Sequence, residues 1–168
     1  MNTASLNEIK KELQTQDSKR VLDLCLKLAK SNKQAKELLS YLLFDAHDEA
    51  AFVASSKEGI IELFYNFPRN FYFAKKHLRK ILKEINKYIK YSSSPKIEIE
   101  LLIFFISTCK ENQMNFNAHP VITNMMVSQV NKINKAILKL HEDLQYDYTL
   151  QLEQTLNDTG LKFSSKLG

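Results

Sequence analysis

The chain has 168 residues, 44% of them hydrophobic and 26% charged, with 24 Lys and Arg against 19 Asp and Glu and a net charge of +5. These proportions fit one globular domain with a real core and exclude a disordered polypeptide. With only three glycines (Gly59, Gly160, Gly168) and three prolines (Pro68, Pro95, Pro120), neither glycine-rich phosphate-binding loop can be written, and long helices are favoured over tightly turned strands.

Apolar residues recur at helical spacing almost throughout, and no stretch keeps a strand's two-residue period for long. The first predicted helix covers about residues 5 to 14, with Leu6, Ile9 and Leu13 on one face. Asp17 or Ser18 caps a second, to about Ser31, that is expected to bury Val21, Leu22, Cys25, Leu28 and Ala29. Asn32 caps a third, to about Asp45, burying Ala35, Leu38, Leu39, Leu42 and Leu43. A fourth runs from about His47 to Asn66. Ser55 to Glu58 resemble a capping box inside it, but Gly59 is tolerated at a cost of about 1 kcal/mol, so one helix is expected.

Phe67-Pro68 ends that segment, and Asn70 caps a fifth helix over about 71 to 91. The Ser92-Ser93-Ser94-Pro95 break starts a sixth, with Ser94 as cap and Pro95 as first helical residue, to about Lys110. His119-Pro120 repeats that start. From there the pattern meets no breaker until about Asn157, which predicts a final helix near 55 Å long, at about 1.5 Å per residue. Residues 1–157 are read as a single all-α domain and residues 158–168 as a frayed tail.

Seven antiparallel helices with short loops make a short HEAT-like right-handed helical stack or, alternatively, a closed helical bundle. The helix lengths over about 17 to 157 resemble a degenerate HEAT-type stack. The stretches KELLSYLLFDAHDE (36–49) and LHEDLQYDY (140–148) are similar to a small bacterial family of helical proteins. That resemblance implies no activity and no site residues.

Cys25 and Cys109 lie among apolar neighbours and read as core hydrophobes in a reducing compartment rather than as a disulfide. The N-terminus has no leader pattern, and the strongest apolar run, Leu101 to Ile106, is far too short to span a membrane. A soluble, cytoplasmic protein without membrane insertion is expected.

Charge is concentrated. Residues 45–66 hold one Lys against five acids, whereas 67–96 hold nine Lys and Arg against one acid. Lys76, Lys80, Lys83, Lys87 and Lys90 step by helical intervals with Arg79 beside them, forming a basic ridge. Ala74, Leu78, Ile81, Ile85 and Ile89 run down the opposite side. Such a ridge can track nucleic-acid phosphates, with Phe71, Tyr72 and Tyr91 able to stack on bases. It can equally be the wet face of a packed helix turned toward the acidic 45–62 segment, or meet an acidic protein or membrane surface.

Asp45, His47, Asp48 and Glu49 cluster, as do His141, Glu142, Asp143 and Asp147, but neither group has metal-site spacing, so no metal and no cofactor is expected. His77 reads as a surface residue among lysines, and no nucleophile has an oriented base. In the last helix Met126, Val130, Ile133, Ile137, Leu140 and Leu144 form a coiled-coil-like seam. The seam can pack inside the domain or serve a homodimer. The reading that results is a non-enzymatic helical interaction module with a protein partner. The alternative is a nucleic-acid-binding protein using the ridge, with Lys27, Lys30 and Lys33 in support.

Overall fold

A computed structural model describes residues 2–161. Eight α-helices and one π-helical turn, with no strand, make up the described residues. Where one domain is expected over 1–157, the chain divides into two compact units, Met1–Asp45 and Ala46–Gly168.

The first unit holds α1 (Leu6–Thr15), α2 (Ser18–Ser31), α3 (Lys33–Ser40) and the π-helical turn Tyr41–Asp45. Each start is set by a side-chain cap. Ser5 and Glu8 form a reciprocal capping box, the Arg20 N–H donates to Asp17 Oδ1 at 2.8 Å, and the Ala35 N–H donates to Asn32 Oδ1 at 2.8 Å. The third helical segment does reach Asp45, but only as α-helix to Ser40, after which it widens into the π-helical turn.

This unit has no core of the expected kind. Among its described residues only Tyr41 is buried. Val21, Cys25, Ala29, Ala35, Leu38 and Leu39 are half-buried, and Leu22, Leu28, Leu42 and Leu43 are exposed. Three short helices enclose too little volume to take their apolar stripes out of water.

The second unit holds α4 (Glu49–Phe64), α5 (Phe71–Ser92), α6 (Pro95–Glu111), α7 (Pro120–Ile137) and α8 (Glu142–Thr159). The α4 helix is one piece, capped where the Ala51 N–H donates to Asp48 Oδ1 at 2.9 Å, and Gly59 is accommodated within it. At the centre lies α6, apolar over most of its surface, with Ile97, Ile99, Leu101, Leu102, Phe105 and Ile106 all fully buried. A helix with so wide an apolar surface must be covered on several sides, and α4, α5, α7 and α8 each pack against it. The Leu101 to Ile106 run is therefore the spine of a core.

The expected 55 Å final helix is two helices. The break falls at residues 138–141, after which α8 turns back to pack on both α6 and α7. Turning back buries Leu152, Thr155 and Thr159, which a straight continuation would carry away from α6. Glu142 and Asp143 occupy the first turn of α8, where carboxylates complement the amino-terminal end of the helix dipole. At the other end α8 runs through Asp158 and Thr159 to Gly160, whose φ of 63° closes it, and Leu161 is buried. Residues 158–161 of the expected frayed tail are thus structured; 162–168 lie outside the described residues.

Candidate functional site

The α5 helix is built to present one face. The Tyr72 N–H donates to Asn70 Oδ1 at 3.0 Å to open it, and Ser93 at φ 51° closes it. Ala74, Leu78, Ile81, Leu82 and Ile85 are buried against the unit, and Ile89 is half-buried. Burial of that stripe turns the opposite face outward.

Lys76, Arg79, Lys80, Lys83 and Lys90 are all exposed. Among the described residues none of these five is in an ion pair. Lys87 differs: it is half-buried, pairs with Glu84 one turn earlier, and lies 5.5 Å from the Tyr88 ring centroid. The acidic α4 does not neutralise the ridge. Its Glu58 and Glu62 are exposed and form no ion pair with α5, while Lys57 of α4 reaches Glu100 of α6 at 3.6 Å.

Two concavities flank the ridge. At the start of α5, a cleft of about 880 Å³ is lined by Phe64, Tyr65, Phe67, Arg69, Phe71 and His119, among others. The Phe71 and His119 rings stack at 3.9 Å, and His119 Nδ1 accepts the Val121 N–H at 3.2 Å to cap α7. Phe71, Tyr72 and Phe73 are exposed, and the Lys75 ammonium lies 5.8 and 5.6 Å from the Phe71 and Tyr72 ring centroids. Lys75 thereby carries the basic face onto exposed aromatics.

The second concavity, about 660 Å³, runs between α5 and α7 and includes Arg79 and Lys83 of the ridge. Near it Asn86 donates to the Leu82 carbonyl at 2.6 Å and accepts from Lys132 Nζ at 3.0 Å. Lys132 thus brings a further cation beside α5 from a helix 46 residues later. No local pattern in the sequence announces it, because only the tertiary fold sets α7 beside α5.

The seam divides. Met126, Val130, Ile133 and Ile137 are buried inside the second unit, so a second copy cannot use them as a surface. Leu140 is half-buried in the break, and only Leu144, in α8, is exposed. One helix carrying all six residues does not exist, and of the two uses open to the seam its first four residues take packing within the unit.

The remaining polar groups are committed elsewhere. His77 is half-buried rather than on the surface: its Nε2–H donates to the Leu63 carbonyl at 2.6 Å and its ring meets Phe67 edge-on, tying α5 to α4. Cys109 is fully buried, which pushes its thiol well above the usual range; Cys25 is half-buried. The Tyr148 hydroxyl donates to Glu100 Oε1 at 3.0 Å while Lys57 approaches the other carboxylate oxygen, cross-linking α4, α6 and α8. Burial, then the bond to Glu100, raise the Tyr148 phenol and keep it neutral. Among the described residues no group of three His, Cys, Asp or Glu side chains is placed to hold a metal ion, and no helix is long and apolar enough to cross a membrane.

No known protein family, curated protein or solved structure matches this chain.

Proposed function

We propose that this chain is a non-enzymatic helical binding module and that its α5 face binds nucleic acid. One observation carries the reading: five exposed cations free of ion pairs share a single helix face, and that face leads onto the exposed rings of Phe71, Tyr72 and Phe73. A surface that served only to be wet gains by pairing its charges, and the acids of α4 are not used for this. Cations that follow a phosphate backbone beside aromatic platforms are the means by which single strands are held. We read the second unit as a short HEAT-type stack rather than a closed bundle, a reading supported by α6 packing on both α4 and α8.

The test is fluorescence anisotropy with labelled single-stranded DNA, single-stranded RNA and duplex DNA at low salt. Binding that is abolished in Lys80→Glu/Lys83→Glu supports the reading. No binding to any of them, or binding indifferent to the charge reversal, refutes it.

A protein partner, the first reading of the sequence, becomes the second here and is favoured by the first unit. Leu6, Leu22, Leu28, Leu42, Leu43 and Phe44 each leave more than half of their surface in water, an apolar exposure typical of interaction surfaces. An affinity pull-down repeated after nuclease treatment separates the two. Retention of a partner by residues 2–45 variants with Leu22 and Leu28 changed to Ser would exclude this surface.

A further inference from the structure

The acids of the second unit are unevenly shared among its helices. The α4, α6 and α8 helices carry three, three and five Asp and Glu, whereas α5 carries only Glu84 and α7 carries none. From Asn112 to His141 there is no Asp or Glu at all, while Lys132, Lys135 and Lys139 fall in that stretch. Both α5 and α7 pack on α6, and the groove of about 660 Å³ lies between them.

Each of the two helices turns a polar row outward. Along α5, Arg79, Lys83, Asn86 and Lys90 step by four, three and four residues. Along α7, Asn124, Ser128, Asn131 and Lys135 step by the same intervals, so each set shares one helix face. All eight residues are exposed. Arg79, Lys83 and Asn86 line one side of the groove and Asn124 and Ser128 the other, with the less exposed Leu82, Val121, Met125 and Gln129 between them. Lys132 Nζ donates to Asn86 Oδ1 at 3.0 Å and joins the two walls. An acid on α7 would be drawn to Arg79 and Lys83; with none there, the field in the groove stays positive and favours an anion.

We infer that a single strand of nucleic acid lies in the α5/α7 groove with α7 as its second wall, Arg79 and Lys83 pairing with its phosphates from one side while Asn124 and Ser128 donate to phosphate and sugar oxygens from the other. The inference rests on the α5 face binding nucleic acid and adds to it the path of the strand and a second helix. Amide and hydroxyl groups suit that wall, because they position a backbone without reading its bases. A concavity in the range of about 300–1,000 Å³ encloses one small-molecule-sized group, so this groove takes a nucleotide or two of a single strand and not a duplex.

The test adds charge to α7 and leaves the ridge untouched. Asn124→Lys/Ser128→Lys places two cations on the second wall, at exposed positions where lysine is a good helix former. In anisotropy titrations of labelled single-stranded DNA, the slope of log K against log salt should steepen by about 1.4, at about 0.7 per added phosphate contact. Gln154→Lys/Asn157→Lys adds the same charge at exposed positions of α8 and should leave the slope unchanged. If the double α7 variant does not fold, either single substitution decides, with half the change. An α7 variant that behaves like the α8 control, while Lys80→Glu/Lys83→Glu still abolishes binding, overturns the groove and leaves the nucleic-acid reading standing. No binding of any oligonucleotide by the wild-type protein overturns both.

Discussion

Replacing Lys80 and Lys83 with alanine removes two of the six ridge cations and touches little else. Both side chains are exposed and neither is in an ion pair, so no buried partner is orphaned. Alanine is the best helix former, and α5 stays docked through Leu78, Ile81, Leu82 and Ile85. On a single strand each neutralised phosphate adds about 0.7 to the fall of log K with log salt. The five ridge cations free of ion pairs give a slope of about −3.5, and the three that remain in the variant about −2. Between about 50 and 200 mM salt the wild-type protein should then lose affinity by about 130-fold and the double variant by only about 20-fold. The assay is an anisotropy titration of labelled single-stranded DNA repeated across that range, with circular dichroism confirming unchanged helix content. A slope that does not shallow in the variant would refute the reasoning, because it would mean that neither lysine meets a phosphate.

Further expectations concern the fold that holds the face. Phe105→Ala, at the fully buried centre of α6, should cost about 3–5 kcal/mol, read as a lowered urea midpoint with an unchanged slope; a loss under about 1 kcal/mol would mean that α6 is not central. Amides of α1–α3 should exchange with deuterium far faster than those of α6, since among the described residues of the first unit only Tyr41 is buried. Tyr148→Phe tests the Lys57–Glu100–Tyr148 cross-link. The folded state raises this phenol, so its contribution is full below the ordinary tyrosine value of about 10 and is lost as pH rises through the higher folded value. The stability gap between wild type and Tyr148→Phe should therefore narrow above about pH 10, and a gap constant to high pH would rule the bond out. Gly160→Ala meets no neighbouring atom, so its cost is that of the left-handed backbone alone, about 1 kcal/mol in a denaturation experiment.

Local chemistry made much of the chain legible. Asp17, Asn32, Asn70 and Ser94 cap helices where short polar side chains precede apolar periodicity, and Pro95 and Pro120 open helices at the position where a missing N–H costs nothing. The break at residues 138–141 escaped that reading because it contains neither Pro nor Gly. Its one signal is the Glu142-Asp143 pair, which suits a helix start but reads as surface charge within an unbroken pattern. Burial was legible only where the helix had company. The stripe from Ala74 to Ile85 is buried as its spacing predicts, whereas equally periodic leucines in α2 lie in water.

The sequence by itself determined the helical class, most helix starts and the alignment of six cations along one face of α5, because caps and 3.6-residue periodicity act between near neighbours. Only the tertiary structure decided that α7 and α8 fold back on one another, that the Met126 to Ile137 seam is spent inside the core, and that Lys132 and Gln129 come to lie beside the ridge. Those outcomes depend on which helices share the largely apolar α6, and a contact between residues 46 apart leaves no trace in the spacing of either.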